Sequence, residues 1–227
     1  MSARSMKSVL RARFAWWIKR GSGMIFDWLH RVDTGGGVVE KNLEIASANR
    51  DKGIAYDPCP WSTLRRSLRL ISLPVEGFTF VDIGCGKGKV LLSAMALPFR
   101  RIVGVEFSSY LSRVAAQNIA SAKFLNRRCS RTEVICSDAV QYPIVDEPTI
   151  FFFANPFSYE IMELVLQNIV ESYLKTPRTI ILMFYATSSI IPQISEFLPR
   201  KSDGRARLRV SSLLGQRSIN IFELPHR

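Results

Sequence analysis

The sequence contains few of the residues from which metal sites and disulfide frameworks are built. Among its 227 residues are only four cysteines and two histidines, and no two cysteines form a C-x-x-C pair. We therefore expect no metal site, and we interpret the cysteines as reduced thiols of a cytoplasmic protein. No apolar run reaches the roughly 18–20 residues that a membrane-spanning helix requires. The sequence thus indicates neither a metalloprotein nor a protein that crosses a membrane.

Acidic residues are scarce at both ends of the chain. The net charge is +12, and residues 1–31 carry seven basic residues and one acidic residue, while residues 197–227 carry seven and two. Residues 71–196, by contrast, contain eleven residues of each sign. The positive charge therefore belongs to the ends, where it indicates a surface or a partner rather than a requirement of the fold.

A glycine-rich turn interrupts the apolar pattern near the middle of the chain. The segment FTFVDIGCGKGKV, residues 78–90, passes from an apolar run through an acid to three glycines and back to apolar residues. That order is typical of a strand, a turn and a helix, at the place where an open α/β sheet binds a nucleotide-like ligand. Because glycine is required where a backbone takes positive φ or approaches a ligand closely, we expect Gly84, Gly86 and Gly88 to face a ligand.

The residues around these glycines narrow the choice of ligand. Lys89 stands where the dinucleotide fingerprint G-x-G-x-x-G requires glycine, and the phosphate-binding pattern G-x-x-x-x-G-K-[ST] is absent. Asp82 lies two residues before the first glycine. Its carboxylate would repel a pyrophosphate but would attract a ligand that carries positive charge. The alternative is a glycine-rich turn in some other α/β protein.

Three further apolar runs also end in polar residues. The first run ends at Glu106, the second at Asp138 and Ala139, and the third at the turn Asn155–Phe157. In doubly wound sheets an acid placed like Glu106 accepts hydrogen bonds from ribose hydroxyls, although an exposed acid at a strand end is the simpler alternative. We expect all these groups to meet in the crevice at the carboxyl ends of the strands.

The whole pattern predicts an α/β fold with a doubly wound, mostly parallel sheet of seven strands. The last two runs, 206–210 and 218–222, alternate between polar and apolar residues on either side of Gly215, so they predict a terminal antiparallel hairpin. We assign residues 56–227 to this domain and residues 1–55 to a basic, helical N-terminal extension.

The pattern D-x-G-x-G-x-G after an apolar strand resembles motif I of the class I S-adenosylmethionine-dependent methyltransferases. The stretch from Tyr56 to Phe157 is also similar to bacterial methyltransferases of undefined substrate, which in turn resemble the non-SET lysine methyltransferases with a seven-strand fold. The resemblance implies S-adenosylmethionine as the cofactor. It implies these cofactor-binding residues: Tyr56, Asp82, Gly84, Gly86, Gly88, Glu106, Asp138, Ala139 and Asn155. Lys87 and Lys89 depart from what the family leads us to expect, and we predict that they point outward or meet the carboxylate of the methionine moiety.

The turn Asn155-Pro156-Phe157 resembles a shortened form of the (Asp/Asn)-Pro-Pro-(aromatic) signature of amino-directed methyltransferases. In that signature the Asn oxygen and a Pro carbonyl accept hydrogen bonds from the target nitrogen, and the ring stacks on its carrier. The resemblance makes Asn155 the candidate catalytic residue, with Pro156, Phe157 and Trp61 as substrate contacts. The single proline departs from the signature, and Asn-Pro also forms plain turns after buried strands. Tyr56 and Trp61 are equally consistent with ordinary packing.

These observations predict an enzyme that transfers a methyl group to a nitrogen of a protein side chain, such as lysine, or of a small amine. One alternative is a nucleic-acid methyltransferase, which the basic ends favour. Another is a membrane-surface or scaffold protein that keeps the fold without the activity. Apolar residues at helical spacing between Met6 and Ile18 predict a basic amphipathic helix, so residues 1–31 either contact a membrane peripherally or cap the domain.

Overall fold

The computed structural model describes residues 25, 27–36, 57–122, 126–187, 189–214 and 217–226. Most of the predicted extension, residues 1–55, lies outside these ranges, as do Tyr56 and the amphipathic helix predicted between Met6 and Ile18. The proposed boundary between extension and domain therefore stays a prediction. Among the described helices, none is long and apolar enough to span a bilayer.

Helices and strands alternate along the described part of the chain. Residues 27–30 are helical and precede an irregular segment that reaches residue 36. The elements that follow are α1 (Thr63–Ile71), β1 (Thr79–Ile83), α2 (Lys89–Met95), β2 (Arg101–Glu106), α3 (Ser109–Ser121), β3 (Thr132–Cys136), a 3₁₀ turn (Ala139–Gln141), β4 (Thr149–Phe153), α4 (Tyr159–Lys175), β5 (Ile180–Thr187), α5 (Ile191–Lys201), β6 (Arg207–Leu214) and β7 (Arg217–Leu224).

The strands form one seven-stranded sheet in the order β3-β2-β1-β4-β5-β7-β6. The first five strands in that order are parallel, and β7 runs antiparallel to both β5 and β6. The predicted fold class and the terminal hairpin are thereby confirmed. Strand β1 lies between β2 and β4, so the order of strands reverses beside it, and this reversal opens the crevice in which α/β sheets bind ligands.

Both faces of the sheet are covered, which explains why the central strands are apolar throughout. All five residues of β1 and all five of β4 are buried. Along β1 the side chains alternate between two apolar clusters, with Phe80 in the cluster beside α1 and α2, and Val81 and Ile83 in the cluster beside α4. Parallel strands buried on both faces are expected to show continuous apolar runs of this kind.

Strand β3 ends earlier than the sequence predicts. The apolar run extends to Ala139, but the strand stops at Cys136 and a 3₁₀ turn begins at Ala139. The carboxylate of Asp138 accepts a hydrogen bond from the amide of Val140 at 2.9 Å. This local bond offers the backbone an alternative to the strand ladder, and it ends the strand.

Candidate functional site

The predicted ligand residues that follow the strands lie at the carboxyl edge of the sheet, where β1, β2, β3 and β4 end. The amide of Gly84, just after β1, donates to the carbonyl of Val105 at 2.9 Å. The amide of Ser137, just after β3, donates to the carbonyl of Glu106 at 3.0 Å. These bonds connect the three polar strand ends into one continuous surface.

The three glycines all adopt the left-handed backbone conformation that favours glycine. Their φ values are +74° at Gly84, +54° at Gly86 and +78° at Gly88. A Cβ added at Gly84 would lie 2.4 Å from the Cβ of Pro156, and one added at Gly88 would lie 3.1 Å from the Cβ of Ala115. The glycine loop, residues 84–88, therefore packs directly against the turn that carries Asn155, at a distance that a side chain at Gly84 would not allow.

Glu106 supports the glycine loop from the end of β2. Its carboxylate oxygens accept hydrogen bonds from the amide of Gly86 at 2.9 Å and from the amide of Ser108 at 3.0 Å. Burial raises the pKa of Glu106, and these amide bonds act in the opposite direction. Because a carboxylate has about four lone-pair sites, the group retains acceptor capacity for a ligand.

Asp82 is a buried carboxyl group in the centre of the sheet. It is 1% exposed, and its Oδ2 has no hydrogen-bond partner among the residues that the structure describes. Burial, together with the smaller effect of the nearby charge of Glu106, raises the pKa of Asp82 to about 8. A buried carboxyl oxygen without a partner is costly to keep in an empty fold. It fits a site that receives a positively charged ligand.

Asn155 has a backbone conformation that few residues adopt. Its φ is +56°, in the left-handed region. Asparagine tolerates this region better than most residues, so its identity here has a structural reason as well as the predicted functional one. Pro156 and Phe157 are half-buried, and Phe157 packs against the cluster that α4 covers.

The structure places Trp61 among packing residues. Its side chain is half-buried against the apolar cluster beside α2, and the hydroxyl of Ser93 on α2 donates to its carbonyl at 3.3 Å. Tyr56 lies outside the described residues. Its neighbour Asp57 forms an ion pair of 2.6 Å with Arg217 at the start of β7, so the segment before α1 reaches the same edge of the sheet.

Lys87 is placed differently from both predictions made for it. Rather than pointing outward or towards a ligand, its ammonium group is buried and bonds both carboxylate oxygens of Asp33, at 2.8 and 2.9 Å. Lys89 is buried as well. Sequence reasoning missed Asp33 and Asn118, which bind the glycine loop from distant parts of the chain. Two signals are present in the sequence, a lysine between two glycines and a turn-like segment at residues 33–37 that is typical of a mobile or ligand-facing loop.

Residues 81–166 match the family model described as Methyltransferase domain. The chain therefore contains a methyltransferase domain, in a fold that it shares with S-adenosylmethionine-dependent methyltransferases. No curated protein sequence matches it significantly. Within the described residues, no group of three histidine, cysteine or acidic side chains is placed to hold a metal ion.

Solved methyltransferase structures share the fold at low sequence identity. A ribosomal protein L11 methylase from Lactobacillus delbrueckii subsp. bulgaricus superposes with a TM-score of 0.56 at 13% identity, covering 78% of this chain and 83% of that one. Magnesium protoporphyrin IX methyltransferase from Synechocystis PCC 6803, solved with bound S-adenosylmethionine, superposes with a TM-score of 0.52 at 16% identity. The match covers 72% of this chain and 77% of that one. A precorrin-6y C5,15-methyltransferase from Geobacter metallireducens superposes with a TM-score of 0.51 at 15% identity, covering 71% of this chain and 86% of that one. These proteins act on chemically different acceptors, so the fold does not specify the acceptor.

S-adenosylmethionine is the cofactor of this methyltransferase. The residues at the carboxyl edge fit it chemically. The cofactor carries a sulfonium and an ammonium group, and Asp82 offers a buried carboxyl oxygen without a partner. The cofactor also carries a ribose, and Glu106 at the end of β2 retains acceptor capacity for its hydroxyls.

Proposed function

We propose that this methyltransferase modifies a nitrogen, either of a protein side chain such as lysine or of a small amine. The observation that supports this proposal most directly is the contact between the turn at Asn155 and the glycine loop. Pro156 packs so closely on Gly84 that a single added Cβ would overlap it. Asn155 precedes Pro156 on the turn that touches this loop, which we propose holds the cofactor.

In this proposal the cofactor is held by the residues at the ends of β1, β2 and β3. Gly84, Gly86 and Gly88 let the backbone approach it, while Glu106 accepts bonds from the ribose. Asp82 faces its positive charge. Asp138 or the backbone of Ala139 binds the adenine amino group, and Tyr56 covers the methionine part.

Bound S-adenosylmethionine supplies an electrophilic methyl group for an in-line displacement. What the protein must provide is orientation, because the reacting atoms need to be close and aligned. An asparagine oxygen can accept a hydrogen bond from an amine N–H and so turn the lone pair of the nitrogen towards the methyl group. Asn155 would act in this way, with the carbonyl of Pro156 as a second acceptor and Phe157 contacting the carrier of the nitrogen.

The proposal can be tested by following label from radioactive S-adenosylmethionine into a lysate of cells that lack the protein. We expect label in a protein fraction, recovered after hydrolysis as methylated lysine, or in a small-molecule amine. Label recovered only in nucleic acid would contradict the nitrogen acceptors proposed here and would support the nucleic-acid alternative. A Gly86→Val variant is the negative control, because it blocks the glycine loop.

Asn155→Gly should separate acceptor positioning from cofactor binding. Glycine removes the amide but accepts a φ of +56° without strain, unlike alanine. We expect the affinity for S-adenosylhomocysteine to stay within a few-fold while turnover falls by about 100-fold, because a misplaced acceptor loses the orientation advantage. Asn155→Asp should be milder if the acceptor arrives as a cation, since a carboxylate attracts it. A fully active Asn155→Gly enzyme would show that the turn is structural and that the acceptor binds elsewhere.

We also propose peripheral contact with an anionic membrane through residues 1–31. The described end of this segment exposes Ile25, Trp28 and Leu29, which lie three and four positions apart and so share one face of a helix. The segment carries seven basic residues against one acidic residue, Asp27. An apolar helical face beside basic charge suits the surface of an anionic bilayer.

Trp28→Ser should weaken co-sedimentation with phosphatidylserine vesicles by about tenfold, because an interfacial tryptophan is lost. Leu213→Ser is the matched control, since Leu213 is equally exposed, at 79% against 78% for Trp28, but lies on β6. Equal co-sedimentation of both variants with the vesicles would contradict the membrane proposal. Co-sedimentation that does not change with the phosphatidylserine content or with the salt concentration would also contradict it. In either case the segment would be a helix that caps the domain.

A further inference from the structure

The ammonium group of Lys87 is buried inside the glycine loop, and its hydrogen bonds to described residues all lead to one distant segment. Lys87 is 6% exposed, and its Nζ donates to the two carboxylate oxygens of Asp33 and to the carbonyl of Gly35 at 2.9 Å. These contacts satisfy the three donors of the ammonium group. A buried cation is tolerated only with such compensation, so the loop depends on Asp33 for its counter-charge.

A second side chain joins the same two segments through their backbones. Asn118 on α3 is buried, and its Nδ2 donates to the carbonyls of Lys87 and of Asp33, each at 2.8 Å. Its Oδ1 accepts a hydrogen bond from the amide of Asp33, also at 2.8 Å. One side-chain amide therefore connects the glycine loop to residue 33.

Residues 27–36, which we call the strap, form a compact structure of their own. The carboxylate of Asp27 accepts hydrogen bonds from the amides of Thr34 and Gly35, at 2.9 and 2.7 Å, and from the Thr34 hydroxyl at 2.5 Å. Thr34 is fully buried, and Val32 belongs to the apolar cluster beside α2. Because these contacts hold the strap together, it docks on the loop as a whole.

We propose that the docked strap holds the glycine loop in the conformation that binds the cofactor. Lys87, Asp33 and Asn118 are the positioning residues for this loop. The inference rests on the assignment of that loop to the cofactor. If the strap left, Lys87 would lose its counter-charge and the three acceptors of its ammonium group, and the loop would have to rearrange to hydrate it. The docked strap and the binding conformation of the loop therefore stabilise each other. By reciprocity, cofactor binding must also tighten the strap.

The test compares binding of S-adenosylhomocysteine by calorimetry in full-length variants that unfold at the wild-type temperature. We expect Asp33→Asn to weaken binding by about tenfold or more, because it leaves a buried charge without its partner. Combining Asp33→Asn with Lys87→Met should restore part of the affinity, since the uncompensated charge is removed. Glu223→Gln is the matched control, because it removes the ion pair between Arg209 and Glu223 on β6 and β7 and should leave the affinity unchanged.

Hydrogen exchange on the wild-type protein gives an independent measurement if the variants unfold. Saturating S-adenosylhomocysteine should slow exchange at the amides of Thr34 and Gly35. Unchanged exchange there, despite measurable binding, would overturn the proposal, as would wild-type affinity in a folded Asp33→Asn variant. Failure of the wild-type protein to bind S-adenosylhomocysteine would instead contradict the assignment of the cofactor to this loop.

Discussion

Gly84→Ala should unfold more easily than the wild type by about 2–5 kcal/mol and should lose binding of S-adenosylhomocysteine. The left-handed backbone at this position costs a residue with a Cβ about 1–2 kcal/mol, and overpacking adds about 1–3 kcal/mol. The added Cβ would lie 2.4 Å from the Cβ of Pro156, whose ring cannot rotate away. Denaturant unfolding and calorimetry measure the two effects.

Gly77→Ala is the matched control for this substitution. Gly77 has a φ of +88°, and an added Cβ would meet nothing within 4 Å. The control therefore shares the backbone strain but lacks the overlap with Pro156. We expect its free energy of unfolding to fall by about 1–2 kcal/mol and its affinity for S-adenosylhomocysteine to stay unchanged. If the two variants unfolded at the same denaturant concentration, the contact between the loop and the turn at Asn155 would not be a tight one.

Asp82→Asn should stabilise the empty protein in alkaline solution and weaken its binding of the cofactor. The pKa of Asp82 is about 8 in the folded state against 3.8 for an ordinary aspartate. Between about pH 4 and pH 8 the folded protein holds a proton that the unfolded chain has lost, so stability falls as pH rises through this window. Asparagine does not titrate, so the variant does not lose stability in this way as the pH rises. The substitution also removes the charge that attracts the sulfonium and ammonium groups.

Thermal unfolding between pH 4 and pH 9, with calorimetry at pH 8.5, separates the two effects. We expect the variant to match the wild type at pH 4, to exceed it above pH 8 and to bind the cofactor about 10–100-fold more weakly. Asp146→Asn, at an exposed position, is the control for affinity. A variant that gains stability but keeps wild-type affinity would show that Asp82 does not face the positive charge of the cofactor.

The strands of the sheet were predictable because their signals are local. Central parallel strands are apolar throughout, and the apolar run expected to end at Glu106 is strand β2, Arg101–Glu106. The register of the parallel strands then brings Glu106 to the amide of Gly86, a contact that follows from placing both at the carboxyl edge. To this extent the candidate site also follows from the sequence.

The polar contacts of the loop could not be predicted from the sequence in the same way. Asp33 lies 54 residues before Lys87 and 85 residues before Asn118, and periodicity carries no information over such separations. Each of these residues looks like an ordinary surface residue in its own segment. Periodicity does not predict the left-handed backbone of Asn155 either, which lies on a turn whose Pro156 packs on the distant Gly84.

The order in which the ribosome makes this chain bears on how the strap folds. Asp27 can bind Thr34 and Gly35 as soon as these residues emerge, because they are seven and eight positions apart. The partners that hold the strap on the domain are synthesised much later, and Asn118 leaves the ribosome only with α3. The strap is thus made before the partners that hold it, so the cofactor site can be completed only after α3 has been synthesised.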